Sequence, residues 1–349
     1  MPALLSRRSL LAGFGAVSIA AALQRAPLGA ATGGCIDVHH HQYPPDMLAA
    51  TKADAARTGI PLAPYVRDWT PARSLETMDA NGIATAVLVL AQSDGVWDLH
   101  DPAALRRMAR SCNEYGAEMV RAHPGRYAFF AWLPMPDVAG ALAEIAYALD
   151  HLGASGIGFF TRFGNQWAGD PAFNPVWDEL DRRKVVAYFH PLAPNCCANL
   201  VSPVRDNYVE FPQDTARAVM SLLFNGVFAT HRSISWIFSH AGGPVPVYAH
   251  RVATLSAGRP DLAKVAPDGV MAELGRLNFE TANASYPASM DALLDIVPVS
   301  QVVFGTDFPY VSAEENVRSF GALKLAADAR AAITRENALR MIPRLPAGK

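Results

Sequence analysis

Eight short runs of apolar, strand-forming residues recur along this chain, and longer stretches with helical spacing separate them. The runs cover 36–39, 86–91, 128–133, 156–160, 185–190, 234–240, 278–282 and 301–306. Most are nearly continuous in apolar residues, as expected of strands covered on both faces. Between them, 71–81 carries Leu75 and Met78 and stops at Asn81-Gly82. The stretch 101–122 opens on Asp101-Pro102, and 138–152 carries Leu142, Ile145, Ala146 and Leu149 before Gly153. These are helix bodies with start and stop signals. Further helices are expected over 174–183, 214–228 and 289–297, and two more over 314–341. The alternation predicts parallel βα units in an α/β fold. A single-domain (β/α)8 TIM barrel over 32–349 fits better than an open, doubly wound sheet. The length suits one barrel with insertions. Four of the runs also end in His or Asp, and only a closed barrel brings those ends to one C-terminal mouth. The long, proline-rich connections 42–70 and 191–212 are expected to fold over that mouth.

The first run ends Asp37-Val38-His39-His40-His41. Side chains alternate along a strand, so His39 and His41 share a face and His40 takes the other. The same alternation puts Asp37 on the face of His39 and His41, but deeper. Neighbouring imidazoles at a strand end can share one metal ion. His190 closes Val-Val-Ala-Tyr-Phe-His-Pro, and His240 closes Ile-Phe-Ser-His-Ala-Gly-Gly. His190 reads as a ligand, with a hydrogen-bonded structural residue as the alternative. His240 reads as a ligand or as a proton-transfer group beside the metal. Asp307 follows the buried run Val-Phe-Gly-Thr, where a carboxylate is costly unless it is paired or metal-bound. A helix N-cap is its other reading. Three neutral imidazoles and one carboxylate suit one divalent ion, zinc first and manganese second.

Residues 1–31 read as a removable leader. Arg7-Arg8 precede the uncharged run 10–23, and small residues follow at Gly29, Ala30 and Ala31. That order is a signal peptide, and the arginine pair resembles a twin-arginine export signal. An exported protein, periplasmic or extracellular after cleavage, is the expectation. After the leader no run is long and apolar enough to span a bilayer. The formal net charge of −2 leaves no electrostatic footprint for nucleic acid or an anionic membrane. The four cysteines, Cys35, Cys112, Cys196 and Cys197, lack Cys-x-x-Cys spacing, which excludes a zinc ribbon or a thioredoxin-type site.

Asp-Val-His-His-His at 37–41, His-Pro at 190–191, Ser-His-Ala-Gly-Gly at 239–243 and Gly-Thr-Asp-Phe-Pro at 305–309 together resemble the amidohydrolase superfamily. The branch is that of aminocarboxymuconate-semialdehyde decarboxylase. Met78–Thr85, 169–173 and 211–217 are most similar to 6-methylsalicylate decarboxylase-type proteins. The resemblance implies that His39, His41, His190 and Asp307 hold the metal, and that His240 and Asp307 act catalytically. It also implies a homo-oligomer. No lysine ends the fourth run, so a carbamylated-lysine bridge is not implied and the site is expected to be mononuclear. The activity implied is a non-oxidative decarboxylase of a small hydroxyaromatic or related unsaturated carboxylic acid. Tyr43, Arg162 and Trp167 are the candidates to hold that acid, with ordinary loop packing as their alternative reading. A lactone or amide hydrolase on the same barrel is the main alternative, and a non-catalytic binding protein is the third. No nucleotide-binding motif is present.

Overall fold

In the computed structural model the described residues are 34–59, 61–90, 101–193, 195–197, 200–201 and 203–345. The leader expected at 1–31 lies outside them. Eight parallel strands form one sheet in sequential order. They are β1 (Cys35–Gln42), β2 (Ile83–Leu90), β3 (Tyr127–Trp132), β4 (Gly156–Phe160), β5 (Val186–His190), β6 (Ser235–Phe238), β7 (Asn278–Glu280) and β8 (Val302–Val303). The last strand is short, but the segment after it continues along β1. Val38 N–H donates to Phe304 O at 2.9 Å, Asp307 N–H to His39 O at 2.8 Å, and His41 N–H to Phe308 O at 2.7 Å. These bonds close the sheet into a barrel, so the doubly wound alternative is excluded.

The two faces of the sheet carry different residues. Ile36, Val38, Val87, Val89, Ala128, Phe130, Val186, Tyr188, Ile237 and Val303 fill the lumen, with Ala338, Met341 and Ile342 of the C-terminal segment joined to them. The other face packs on the helices. There Phe159, Phe189, Phe238 and Phe279 pair in register across β4 to β7. Phe189 stacks on Phe159 at 5.3 Å and on Phe238 at 4.9 Å. Trp177 of the helix Asn174–Arg183 covers Phe159 at 4.9 Å. Two glycines of β4 make room for large lumen rings. A Cβ at Gly156 would lie 2.9 Å from Phe130, and one at Gly158 2.9 Å from Trp132.

Helices form where caps and spacing predict them, with shifted ends. Pro71–Ala80, Pro102–Ala122 and Val138–Tyr147 begin at Thr70, Asp101 and Asp137, whose side chains accept main-chain N–H groups of the first turn. The helix expected from 214 already starts at Glu210 and runs to Phe224. Pro45–Thr58 is a helix inside a connection read only as a proline-rich lid, and Val245–Ser256 is one that the apolar spacing did not reveal. Both carry proline in the first turn, where its missing N–H costs nothing.

One local departure shapes the site. Asp37 pairs with Ala86 and His40 with Leu88, so β1 carries one extra residue between them. Asp37 Oδ1 accepts the main-chain N–H of His39 at 3.0 Å, which draws that donor out of the ladder. The resulting bulge reverses the alternation. Asp37 therefore lies with His40 and not, as strict alternation predicts, with His39 and His41.

Candidate metal centre

His39 and His41 project from β1 after the bulge, His190 ends β5, His240 follows β6, and Asp307 follows β8. All sit at the C-terminal ends of the strands. His39 Nε2 lies 3.0 Å from His41 Nε2, and Asp307 Oδ1 is 3.2 Å from the first and 2.9 Å from the second. The His190 ring meets His39 edge-on at 5.2 Å and His41 at 4.9 Å. Donor atoms of His39, His190, His240 and Asp307 all fall within 4.8 Å of one another. The sequence-based ligand set had His41 where this foursome has His240. In the fold both stand at the same centre, giving four imidazoles and one carboxylate around it.

The far nitrogens of three histidines are already committed. His39 Nδ1 meets Glu280 Oε1 at 2.9 Å, His41 Nδ1 meets Leu90 O at 3.0 Å, and His190 Nδ1 meets Pro191 O at 2.9 Å. Each acceptor places the ring proton on Nδ1. The three Nε2 atoms then turn inward beside Asp307, an arrangement that needs positive charge among them, either a proton on one ring or a metal cation that displaces it. The donor set therefore fits one divalent ion. Burial disfavours charge on His39, but Glu280 and Asp307 outweigh it and push its pKa up to about 10. Burial pushes His41 down to about 4 and takes His190 well below the usual histidine range. Asp307 is buried, yet the charge on His39 and hydrogen bonds from His240, His39 and His41 hold its carboxyl well below the usual range.

Asp307 has two differently employed oxygens. Oδ1 faces His39 and His41. Oδ2 accepts from Asn283 Nδ2 at 2.6 Å and lies 3.4 Å from His240 Nε2. His240, Asn283 and Asp307 all hold left-handed backbone, with φ of 54°, 56° and 60°. Such conformations cost about 1–2 kcal/mol each and cluster where geometry is over-determined.

Glu280 and Asn283 are site residues that sequence reasoning missed. Glu280 is fully buried and accepts from His240 N at 2.7 Å and Ala282 N at 2.5 Å besides His39. Its signal was present, because it is a carboxylate at the end of a buried apolar strand, as Asp307 is. Asn283 had no such signal; only its left-handed turn brings it to Asp307.

The residues expected to hold substrate lie in the layer above. Tyr43 is buried, with its ring 6.1 Å from Trp69 and 6.4 Å from Tyr310. Tyr310 meets His41 edge-on at 4.9 Å and Tyr65 at 5.2 Å, so an aromatic collar rises directly from the centre. Arg162 and Trp167 pair across a two-stranded turn after β4. Arg162 donates to the carbonyls of Gly164 and Ala193, and Trp167 Nε1 donates to Asp214 Oδ1 at 3.0 Å. These bonds hold both side chains within the loop layer. Thr161, at the position where a bridging lysine would follow β4, donates instead to Asp214.

A model of the amidohydrolase family matches residues 36–344. The 6-methylsalicylic acid decarboxylase of Aspergillus aculeatus is 34% identical over 321 residues, covering 89% of this chain and 96% of the relative. The gamma-resorcylate decarboxylase of Rhizobium radiobacter is 26% identical over 284 residues, covering 76% and 85%. Among solved structures, a dihydroxybenzoic acid decarboxylase from Polaromonas sp. JS666, with bound manganese and 2-nitroresorcinol, superposes with a TM-score of 0.74 at 21% identity. That superposition covers 88% of this chain and 96% of the other, and it is a likeness of fold.

Proposed function

The chain belongs to the amidohydrolase family, and from that premise we propose that it is a metal-dependent, non-oxidative decarboxylase of a small hydroxyaromatic carboxylic acid. The observation that carries this reading is the division of Asp307: one oxygen faces the histidine cluster and the other faces His240 and Asn283. One carboxylate thus joins a cation site to a proton-handling site. The relatives that match most of the chain bear decarboxylase names, which favours carboxylate loss over hydrolysis.

His39, His41, His190 and Asp307 would hold the ion, with zinc favoured by three imidazoles and manganese as the alternative. When bound, the ion supplies fixed positive charge that draws in the acid's carboxylate or adjacent hydroxyl oxygen and steadies developing charge. The protein does the rest. The collar of Tyr43, Tyr65 and Tyr310, with the wall that carries Arg162 and Trp167, holds the ring and limits water. A proton passes to the ring carbon bearing the carboxylate from the Asp307 Oδ2–His240 Nε2 pair. The carbon–carbon bond breaks, its electrons return to the ring, and CO₂ leaves. His240 keeps some exposed surface and recovers a proton from solvent. No redox cofactor enters this balance.

Incubation of the metal-loaded protein with ortho-hydroxybenzoates should release CO₂. The His240→Ala variant should keep its metal and lose turnover by about 10²–10⁴-fold, the usual worth of a proton-transfer group. Silence with every such acid, together with lactone hydrolysis, would move the assignment to a hydrolase. We also place the mature protein outside the cytosol and in a homo-oligomer. The arginine pair supports the first and family resemblance the second. Fractionation with N-terminal sequencing, and light scattering, test them.

A further inference from the structure

Asp37 takes no part in the proposed chemistry, yet its buried carboxylate collects four donors. Oδ1 accepts the main-chain N–H groups of His39 and Thr306, both at 3.0 Å. Oδ2 accepts Thr306 Oγ1 at 2.6 Å and His40 Nδ1 at 3.0 Å. Two of these donors belong to β1 and two to the residue just before Asp307. One side chain therefore clasps both edges of the barrel seam, and each edge carries metal-ligand candidates.

A second arm holds Asp37 in turn. The other nitrogen of His40 lies 2.8 Å from Ser74 Oγ, in the helix Pro71–Ala80, and Ser74 Oγ lies 2.8 Å from Tyr127 Oη of β3. Phe308 stacks on the His40 ring at 4.6 Å and 24°. The order carboxylate, imidazole, hydroxyl is that of a hydrolytic triad. Asp37, His40 and Ser74 have no exposed surface, however, and a sealed hydroxyl cannot attack a substrate. The arrangement is suited to positioning.

We propose that the Asp37–His40–Ser74 relay is a positioning device for the metal centre, fixing the spacing of His39, His41 and Asp307 and so the ion's affinity. The reason lies in the bulge. If Asp37 releases the His39 N–H, that donor is free to rejoin the ladder, and a one-residue slip turns His39 away from the lumen. His40 donates from Nδ1 to Asp37 and accepts the Ser74 hydroxyl at Nε2, which locks the carboxylate in the rotamer that keeps the bulge. The proposal rests on the metal-dependent reading, but its test does not depend on the reaction.

The full-length protein and its Ser74→Ala, Ser74→Thr and His40→Asn variants are loaded with Co²⁺ or Zn²⁺. Affinity is read by chelator competition and the ligand field by the visible bands of Co²⁺. Ser74→Ala should bind metal several-fold more weakly, less than the roughly 10–100-fold lost when a ligand's own partner is removed because Ser74 acts through His40 and Asp37, with shifted Co²⁺ bands. Its kcat should fall more than its KM rises. Ser74→Thr keeps the hydroxyl and should restore affinity and bands. His40→Asn should lose at least as much as Ser74→Ala. Affinity within twofold of wild type and unchanged bands in Ser74→Ala, whatever its melting temperature, overturns the proposal. That comparison decides the matter even if His40→Asn does not fold. A wild-type protein that binds metal but releases no CO₂ counts against the decarboxylase reading and leaves the affinity comparison intact.

Discussion

Glu280 joins a ligand ring to the turn that carries His240. Its two oxygens accept from His39 Nδ1, His240 N and Ala282 N. Glu280→Gln replaces one acceptor with a donor that faces N–H groups, and metal affinity should fall by about 10–100-fold. Gly305→Ala should act through the same carboxylate, because the added Cβ would stand 2.2 Å from Glu280 Oε2 and 2.9 Å from His39 Cβ. A chelator titration measures both, and affinity equal to wild type would show that Glu280 does not orient His39. The pH dependence has a definite sign. Burial pushes His41 down to about 4 and takes His190 lower than an ordinary histidine, so both present lone pairs at neutral pH. Ligands must be unprotonated to bind: His39, held protonated up to about pH 10, must give up a proton across the neutral range, and His41 adds to this toward pH 4, so affinity falls as pH falls and most steeply on approach to pH 4. Affinity that rises on acidification would contradict this.

At the scale of elements, the ring of phenylalanines across β4 to β7 ties the strands to the helices. Phe189 stands at its centre, stacked on both sides and fully buried. Phe189→Ala should cost about 3–5 kcal/mol, read as a lowered urea midpoint with little change of slope. A cost below about 1 kcal/mol would mean that the layer repacks around the gap. These strands were visible in the sequence because each is a short apolar run between turn signals. The helix that opens on Asp101-Pro102 was visible too, and the one after Asp137 by its apolar spacing. The strand ends were less so. The runs through His240 and Thr306 continue in composition, but the ladder stops at Phe238 and Val303. Beyond those points the backbone turns left-handed at His240 and Asp307, held by hydrogen bonds from elsewhere in the chain.

At the scale of the whole molecule, the candidate ligands come from β1, from β5 and from beyond β8. An ion bound to them staples the barrel across its seam. Removing metal with a chelator should lower the melting temperature, and restoring it should recover the loss. Linkage gives about 4 kcal/mol when free metal exceeds Kd a thousandfold. An unchanged melting temperature would mean that the folded barrel does not bind the ion in preference to the unfolded chain. Much of this architecture is legible in the sequence itself. The alternation of runs and helices gives the barrel, and His or Asp at four strand ends gives the metal centre, because apolar period and the cost of a buried carboxylate are local properties. The tertiary structure decided what depends on distant partners. It put Asp37 beside His40 through a bulge that β2 and Thr306 jointly hold, brought Glu280 behind His39, and turned Asn283 onto Asp307. Each of those outcomes rests on hydrogen bonds between residues far apart in the chain, and no local pattern encodes which donor a buried carboxylate will meet.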